Sequence, residues 1–241
     1  MAEEDRRLRV ATWNIHGGIG TDRRHDIRRI GAVIGALAPD LAAFQEVDSR
    51  RPSATPSGPR DIQAYLRGTV GDHDHRAWAL TGADGVYGQM LASRFPLEGR
   101  AVHDISVAGR EPRKVMEAIV RHPAGALRVL ATHLGFRQGE RRRQMSWLAD
   151  IIASDTKTPL VVLGDLNEWR RGQVGRTVLT PEDAATRHPT FPSRFPVLPL
   201  DRIACRPRAM LVRSWVVREA RKASDHLPLA AELLLPARTH R

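Results

Sequence analysis

Residues 159–169, PLVVLGDLNEW, constrain this chain more than any other stretch. Pro159 opens the segment, and residues 160–163 form a short apolar run rich in β-branched side chains. That is the pattern of a strand buried on both faces. Gly164 ends the run, and Asp165 and Asn167 follow at the strand's C-terminal end, where sites gather in α/β proteins. In an extended chain, residues two apart point the same way, so the carboxylate and the amide would face one target. That pair suits a phosphate, a metal ion or an attacking water, and equally an Asx turn after a strand.

The same motif, a buried strand delivering a polar residue, recurs along the chain. A strand over 8–13 leads into Asn14 and the turn residues Gly17 and Gly18. Ile27, Ile30, Ile34 and Leu37 then keep helical spacing, which predicts a helix over 25–37 ended by Pro39. A second strand over 41–44 runs straight into Glu46. Residues 50–60 hold three prolines and read as a loop, and 61–69 as a short helix. Strands are then expected over 78–80, 86–93, 102–107, 115–121 and 127–133, the last delivering His133. A helix over 139–153 buries Met145, Leu148, Ile151 and Ile152. Arg141, Arg142 and Arg143 stand in its first turn, where the helix dipole disfavours cations. They fit either a nearby substrate phosphate or a solvated face. After the organising stretch, residues 170–199 carry five prolines and read as irregular. Strands return over 200–204, 211–217 and 230–235, with Asp225 and His226 just before the last. A β-α-β opening followed by a meander predicts an α/β sandwich with substantial antiparallel pairing.

A chain of 241 residues fits one large domain or two small ones with a sizeable core, and the lack of an internal repeat or a clean linker favours a single domain. The formal net charge is +11, and lysine occurs only at positions 114, 157 and 222, so arginine supplies nearly all 38 basic residues. Arginine is the better bidentate phosphate ligand, and a basic surface favours polyanions such as nucleic acid or anionic lipid headgroups. The codon usage of a GC-rich genome would give the same bias. Cys205 is the sole cysteine, which excludes an intrachain disulfide. The N-terminal residues lack an apolar targeting segment, and no run approaches the ~20 apolar residues of a transmembrane segment. The expected location is therefore cytoplasmic, and the expected state a monomer.

Seven segments in order, TWNIHGG, FQEV, YGQMLASRFP, ATHLG, LGDLNEW, LDRI and SDHLPL, together resemble the endonuclease/exonuclease/phosphatase superfamily over roughly residues 8–235. The resemblance implies a four-layer αββα sandwich with two mixed β-sheets face to face, an α/β (α+β) fold of the deoxyribonuclease I type. It also implies phosphoester hydrolysis dependent on Mg²⁺ or Mn²⁺. By match to its motifs, Glu46 is the principal metal ligand, and Asn14 and Asp225 complete or support the metal site. Asp165 orients or activates the attacking water, or binds a second metal, and Asn167 holds a phosphate oxygen. His226 is the essential histidine, oriented by Asp201, and Tyr87 and His133 line the phosphate site. Whether His226 or Asp165 takes the water's proton stays open.

Two departures narrow the resemblance. Gln89 stands where deoxyribonuclease I carries a glutamate paired with the histidine matched by His133, and Asp48 where abasic-site nucleases carry a lysine. GREPRKVM, residues 109–116, resembles a segment of bacterial members, in which Arg113 contacts substrate or forms a structural ion pair. The favoured function is a phosphodiesterase or nuclease. The alternatives are a phosphatase or phosphodiesterase acting on phospholipid headgroups or small molecules, and a non-catalytic nucleic-acid-binding relative. A serine hydrolase is disfavoured by the lack of a G-x-S-x-G elbow, and a zinc hydrolase by the lack of H-E-x-x-H.

Overall fold

A computed structural model describes residues 2–50, 59, 61–170, 177–180 and 183–237. Twelve strands form among them: β1 (Arg7–Asn14), β2 (Leu41–Asp48), β3 (His73–Gly82), β4 (Gly85–Ser93), β5 (Leu97–Asp104), β6 (Lys114–His122), β7 (Gly125–His133), β8 (Leu160–Asp165), β9 (Ala184–Ala185), β10 (Asp201–Arg206), β11 (Leu211–Val216) and β12 (Leu229–Leu234). The α-helices are α1 (Ile27–Leu37), α2 (Ile62–Gly68) and α3 (Gln138–Ala153). None of the described helices is long and apolar enough to cross a membrane.

The strands make two six-stranded mixed sheets, ordered β11-β12-β1-β2-β4-β3 and β5-β6-β7-β8-β10-β9. Each sheet has one parallel pair at its centre, β1/β2 and β7/β8. Parallel neighbours need a crossover, which α1 and α3 supply. Alternation along each strand then sorts the layers. On β1, Leu8 and Val10 face the second sheet and meet Met116, Val129, Leu163 and Ile203. Ala11 and Trp13 point outward, onto Ile27, Ile30 and Ile34 of α1 and Leu66 of α2. On β8, Val161 and Leu163 face inward, while Leu160 and Val162 pack on Met145 and Leu148 of α3. The result is the helix–sheet–sheet–helix order that the family resemblance implies.

Local chemistry explains where elements start and stop. Asp26 caps α1 by accepting the Arg28 backbone N–H at 3.1 Å, so the helix begins at Ile27 rather than two residues earlier. Ala38, in the left-handed region, closes it before Pro39. Gly164 sits at φ +150, and a Cβ there would lie 1.9 Å from the Thr132 carbonyl oxygen, so glycine alone lets β7 and β8 pair at this point. β3 is far longer than its short apolar signal, and β5 begins five residues earlier than predicted and ends three earlier. Both are sheet edges with few buried positions, so hydrophobic pattern marks them poorly. The loop read over 50–60 lies almost wholly outside the described residues. In the irregular stretch 170–199, the described part folds back on the sheet ends, with Ser193 N–H donating to the Asp225 carbonyl at 2.7 Å.

Candidate active site

The topology gathers the polar strand ends at one rim of the sandwich. β1 and β2 run parallel, so Asn14 and Glu46 emerge together. β7 and β8 also run parallel, with His133 beside Asp165 in register. β10 is antiparallel to β8 and starts where β8 ends, pairing Asp201 with Asp165. β12 is antiparallel to β1, so Asp225 and His226, just before it, reach the same rim.

Asn14 is the link between the sheets. Its Nδ2 donates to Glu46 Oε1 at 2.8 Å and to Asp165 Oδ2 at 3.1 Å, and its Oδ1 accepts the His16 backbone N–H at 3.1 Å. Glu46 occupies a β-bulge between Gln45 and Val47 with φ +56. A bulge re-aims the side chain, and here it turns Glu46 into the cleft while Gln45 stays inside, bonded to Thr12. Asp165 and Asn167 do meet, but not by extended alternation. Asn167 is left-handed at φ +50, and its N–H donates to Asp165 Oδ1 at 2.9 Å. The Asx turn is thus real, and it is what aims the carboxylate. Burial raises the Asp165 pKa; the nearby His226 pulls it down and Asp201 pushes it up, leaving it at about 6.

His226 is buried between two carboxylates. Its Nδ1 bonds Asp201 Oδ2 at 2.9 Å, and its Nε2 lies 3.8 Å from Asp165 Oδ2. Burial alone would lower its pKa, but Asp201 and Asp165 outweigh that and raise it to about 10. Trp13 Nε1 donates to the His226 carbonyl at 2.9 Å, and the Phe191 ring packs 4.8 Å away, so the imidazole is held from several sides.

His133 is buried too, but its partner is Arg113, whose Nη1 lies 3.1 Å from His133 Nδ1. A guanidinium only donates, so Nδ1 must accept and Nε2 must carry the proton. That Nε2 faces Asp165 Oδ2 at 3.5 Å. Burial, then Arg113 and then His226, hold the His133 pKa well below its ordinary value. Arg113 Nη1 also pairs with Glu111 at 2.7 Å. Burial, Glu46 and Glu111 raise the pKa of Tyr87, which shares a small cavity wall with Gln89, Arg113 and His133. Gln89 donates instead to the Lys114 carbonyl at 2.7 Å. The carboxylate absent at Gln89 is therefore replaced by a cation at His133, not by nothing.

Asp225 is half-exposed, 3.7 Å from His16 Nδ1. Asp165, Asp201 and His226 offer ligand atoms within 4.8 Å of one another, a spacing that could hold a metal ion. The Asp201–His226 hydrogen bond already holds two of the three together, and Asp165 is held by Asn14 and by the Asn167 N–H. Glu46 fits a hard cation better. It opens on a cleft of about 290 Å³ that Asp48, Tyr87 and Glu111 also line, and one of its oxygens has no partner among the described residues.

Two buried arginines brace the site from behind. Arg202 is buried, and its guanidinium donates to the carbonyls of Asp201 and Glu168 at 2.9 Å, bracing the two segments that carry Asp201 and Asp165. Arg141 is buried as well, not solvated, and pairs with the fully buried Glu168 at 3.1 Å. Arg202 drew no reading from the sequence and Arg141 fitted either a substrate phosphate or a solvated face, because only tertiary contact shows which charges are enclosed.

Residues 11–226 match the model of the endonuclease/exonuclease/phosphatase family. The chain belongs to that family. It is 30% identical to the uncharacterized protein YbhP of Escherichia coli over 250 residues, covering 95% of this chain and 96% of that protein. An endonuclease/exonuclease/phosphatase from Beutenbergia cavernae superposes with a TM-score of 0.79 at 26% identity, covering 95% of this chain and 72% of that one. Truncated Caenorhabditis elegans TDP2 superposes at 0.70 with 19% identity, over 95% of this chain and 98% of its own, a likeness of fold. Membership in the endonuclease/exonuclease/phosphatase family places the protein in a class defined by phosphoester hydrolysis.

Proposed function

We infer that the protein is a phosphodiesterase of the nuclease type that depends on Mg²⁺ or Mn²⁺. The observation that carries this reading is the position of Asp165, which touches the Asn14–Glu46 pair on one side and faces His226 on the other. Glu46 and Asp225 would hold the cation, with Asn14 in support. When bound, the cation polarises a phosphoryl oxygen and steadies the leaving oxygen. Asp165, oriented by its turn, receives the proton of the attacking water. His226, between two carboxylates, acts as a charged donor to the phosphate rather than as the base. Asn167 Nδ2 donates to the Leu134 carbonyl at 2.9 Å and lies 3.3 Å from His133 Nε2. With the proton on Nε2, that N–H and the second Nδ2 proton are two adjacent donors to which a phosphoryl oxygen can bind as a shared acceptor. Arg113 acts on substrate through His133, as a positioning residue, and Tyr87 closes the wall beside it.

Nicking of supercoiled plasmid in Mg²⁺ at low salt tests the reading, with EDTA and His226→Ala as controls. EDTA-sensitive nicking that His226→Ala loses supports it. Nicking that persists in EDTA or in His226→Ala overturns it. Absence of nicking, with cation binding confirmed by calorimetry, removes the nuclease and redirects the search to lipid headgroups and small phosphoesters.

A further inference from the structure

Beside the buried cluster lies an aromatic pair that catalysis does not need, an exposed Phe136 and a half-buried Trp169. Phe136 follows His133 by three residues, and Trp169 follows Asn167 by two. Phe136 is 68% exposed, and the two rings lie 6.1 Å apart, tilted by 36°. Their placement is not accidental slack. Arg141, 1% exposed, donates to the carbonyls of Phe136 at 2.6 Å and Gly135 at 3.2 Å, and to Glu168 at 3.1 Å. Its guanidinium also lies 5.1 Å from the centre of the Trp169 ring. One buried cation therefore holds both aromatic loops in place, although a large exposed phenylalanine gains nothing from folding.

Arg137, directly after Phe136, begins a second feature. With Arg110, Arg142 and Arg143 it lines an open cleft of about 520 Å³, to which Glu140 also contributes. All four arginines are exposed, and none has an ion-pair partner among the described residues. Unpaired cations at this density favour an anion with several phosphates. The aromatic faces narrow the choice. A lipid headgroup supplies phosphate but no flat ring, and a duplex keeps its base faces stacked inside. An unpaired strand offers both a charged backbone and free base faces.

Resting on the phosphodiesterase reading above, we propose that Phe136 and Trp169 form a stacking platform for single-stranded nucleic acid. The cleft of Arg110, Arg137, Arg142 and Arg143 tracks the phosphates beyond it, and the strand leads from there to the site at His133 and Asn167.

The test is equilibrium binding by the full chain in EDTA, followed by fluorescence anisotropy. Three probes are compared: a labelled oligothymidylate of about ten nucleotides, a blunt duplex of equal length, and vesicles of phosphatidylcholine with phosphatidylserine. The single strand should bind more tightly than the duplex. Phe136→Ala should weaken single-strand binding roughly tenfold, and Phe136→Tyr should restore it. Replacing Arg142 and Arg143 together by alanine should flatten the salt dependence by about 0.7 per lost phosphate contact. Equal binding of strand and duplex, an unchanged Phe136→Ala, or vesicle binding with the same dependence on Phe136 would overturn the proposal. Hydrolysis of bis(p-nitrophenyl) phosphate in Mg²⁺ or Mn²⁺, a substrate too small to need the platform, separates the two claims. Turnover with an insensitive Phe136→Ala sinks the platform alone. Phe136-dependent strand binding without any phosphodiester turnover sinks the catalytic reading and keeps the platform as a binding surface.

Discussion

Two histidines flank one carboxylate, and their pKa values are pushed in opposite directions. His226 and His133 are both buried, and both bring Nε2 within 4 Å of Asp165 Oδ2, at 3.8 and 3.5 Å. Burial pushes each toward the neutral form. At His226 the carboxylates of Asp201 and Asp165 reverse that push, while at His133 Arg113 adds to it. The Nδ1 partner, rather than burial, therefore decides which ring is a cation and which is a neutral donor. Divergent environments around one carboxylate can set acid and base roles apart.

The largest way to break this contrast is Asp201→Asn, which keeps the shape but removes the charge behind His226. Phosphoester turnover should fall by roughly 10²–10⁴-fold, and the His226 pKa, followed by NMR, should drop toward 6.5. A His226 that stays protonated at neutral pH in that variant would refute the account. Next comes Arg113→Met. It frees His133 Nδ1 and removes the neighbouring cation, so the His133 pKa should rise and its tautomer should cease to be locked. Turnover should fall by about tenfold, the effect of losing a positioned hydrogen bond of ~1.4 kcal/mol.

The wild-type, metal-free protein sharpens the comparison without mutation. His226 should keep its proton through neutral pH, while His133 should show no titration there. Because the folded His226 pKa lies above 6.5, its contribution to stability is complete below that value and is lost as pH rises through about 10. A denaturant series should therefore show stability declining on the alkaline side, and Asp201→Asn should flatten that decline. The smallest change is Gln89→Glu, which places a carboxylate in the wall beside His133. The His133 pKa should move upward, at a stability cost of about 1 kcal/mol for the lost bond to the Lys114 carbonyl.

Much of this arrangement was legible in residue order. The apolar spacing of Ile27, Ile30, Ile34 and Leu37 identified the buried face of α1 correctly. The runs at 8–13, 41–44, 127–133 and 160–163 marked the four central strands, each buried on both faces. Central strands announce themselves because nearly every position is apolar, whereas the edges β3 and β5 mix exposed and buried positions. The polar residues at strand exits, Asn14, Glu46, His133 and Asp165, converge because parallel pairing puts consecutive C-terminal ends on one rim.

What local periodicity determined by itself was therefore the central strands and the polar residues at their ends, while the four-layer order came from the resemblance of the motifs to a family. The tertiary structure alone decided their partners. Arg113 and His133 are 20 residues apart, Asn14 and Asp165 151 apart. Glu46 is aimed by a bulge that its own residue type does not announce. Arg141 and Arg143 look alike in the sequence, yet one is enclosed against Glu168 and the other faces solvent. A charge or a proton is assigned by whatever lies within a few ångströms, and in this fold those neighbours come from the far side of the chain.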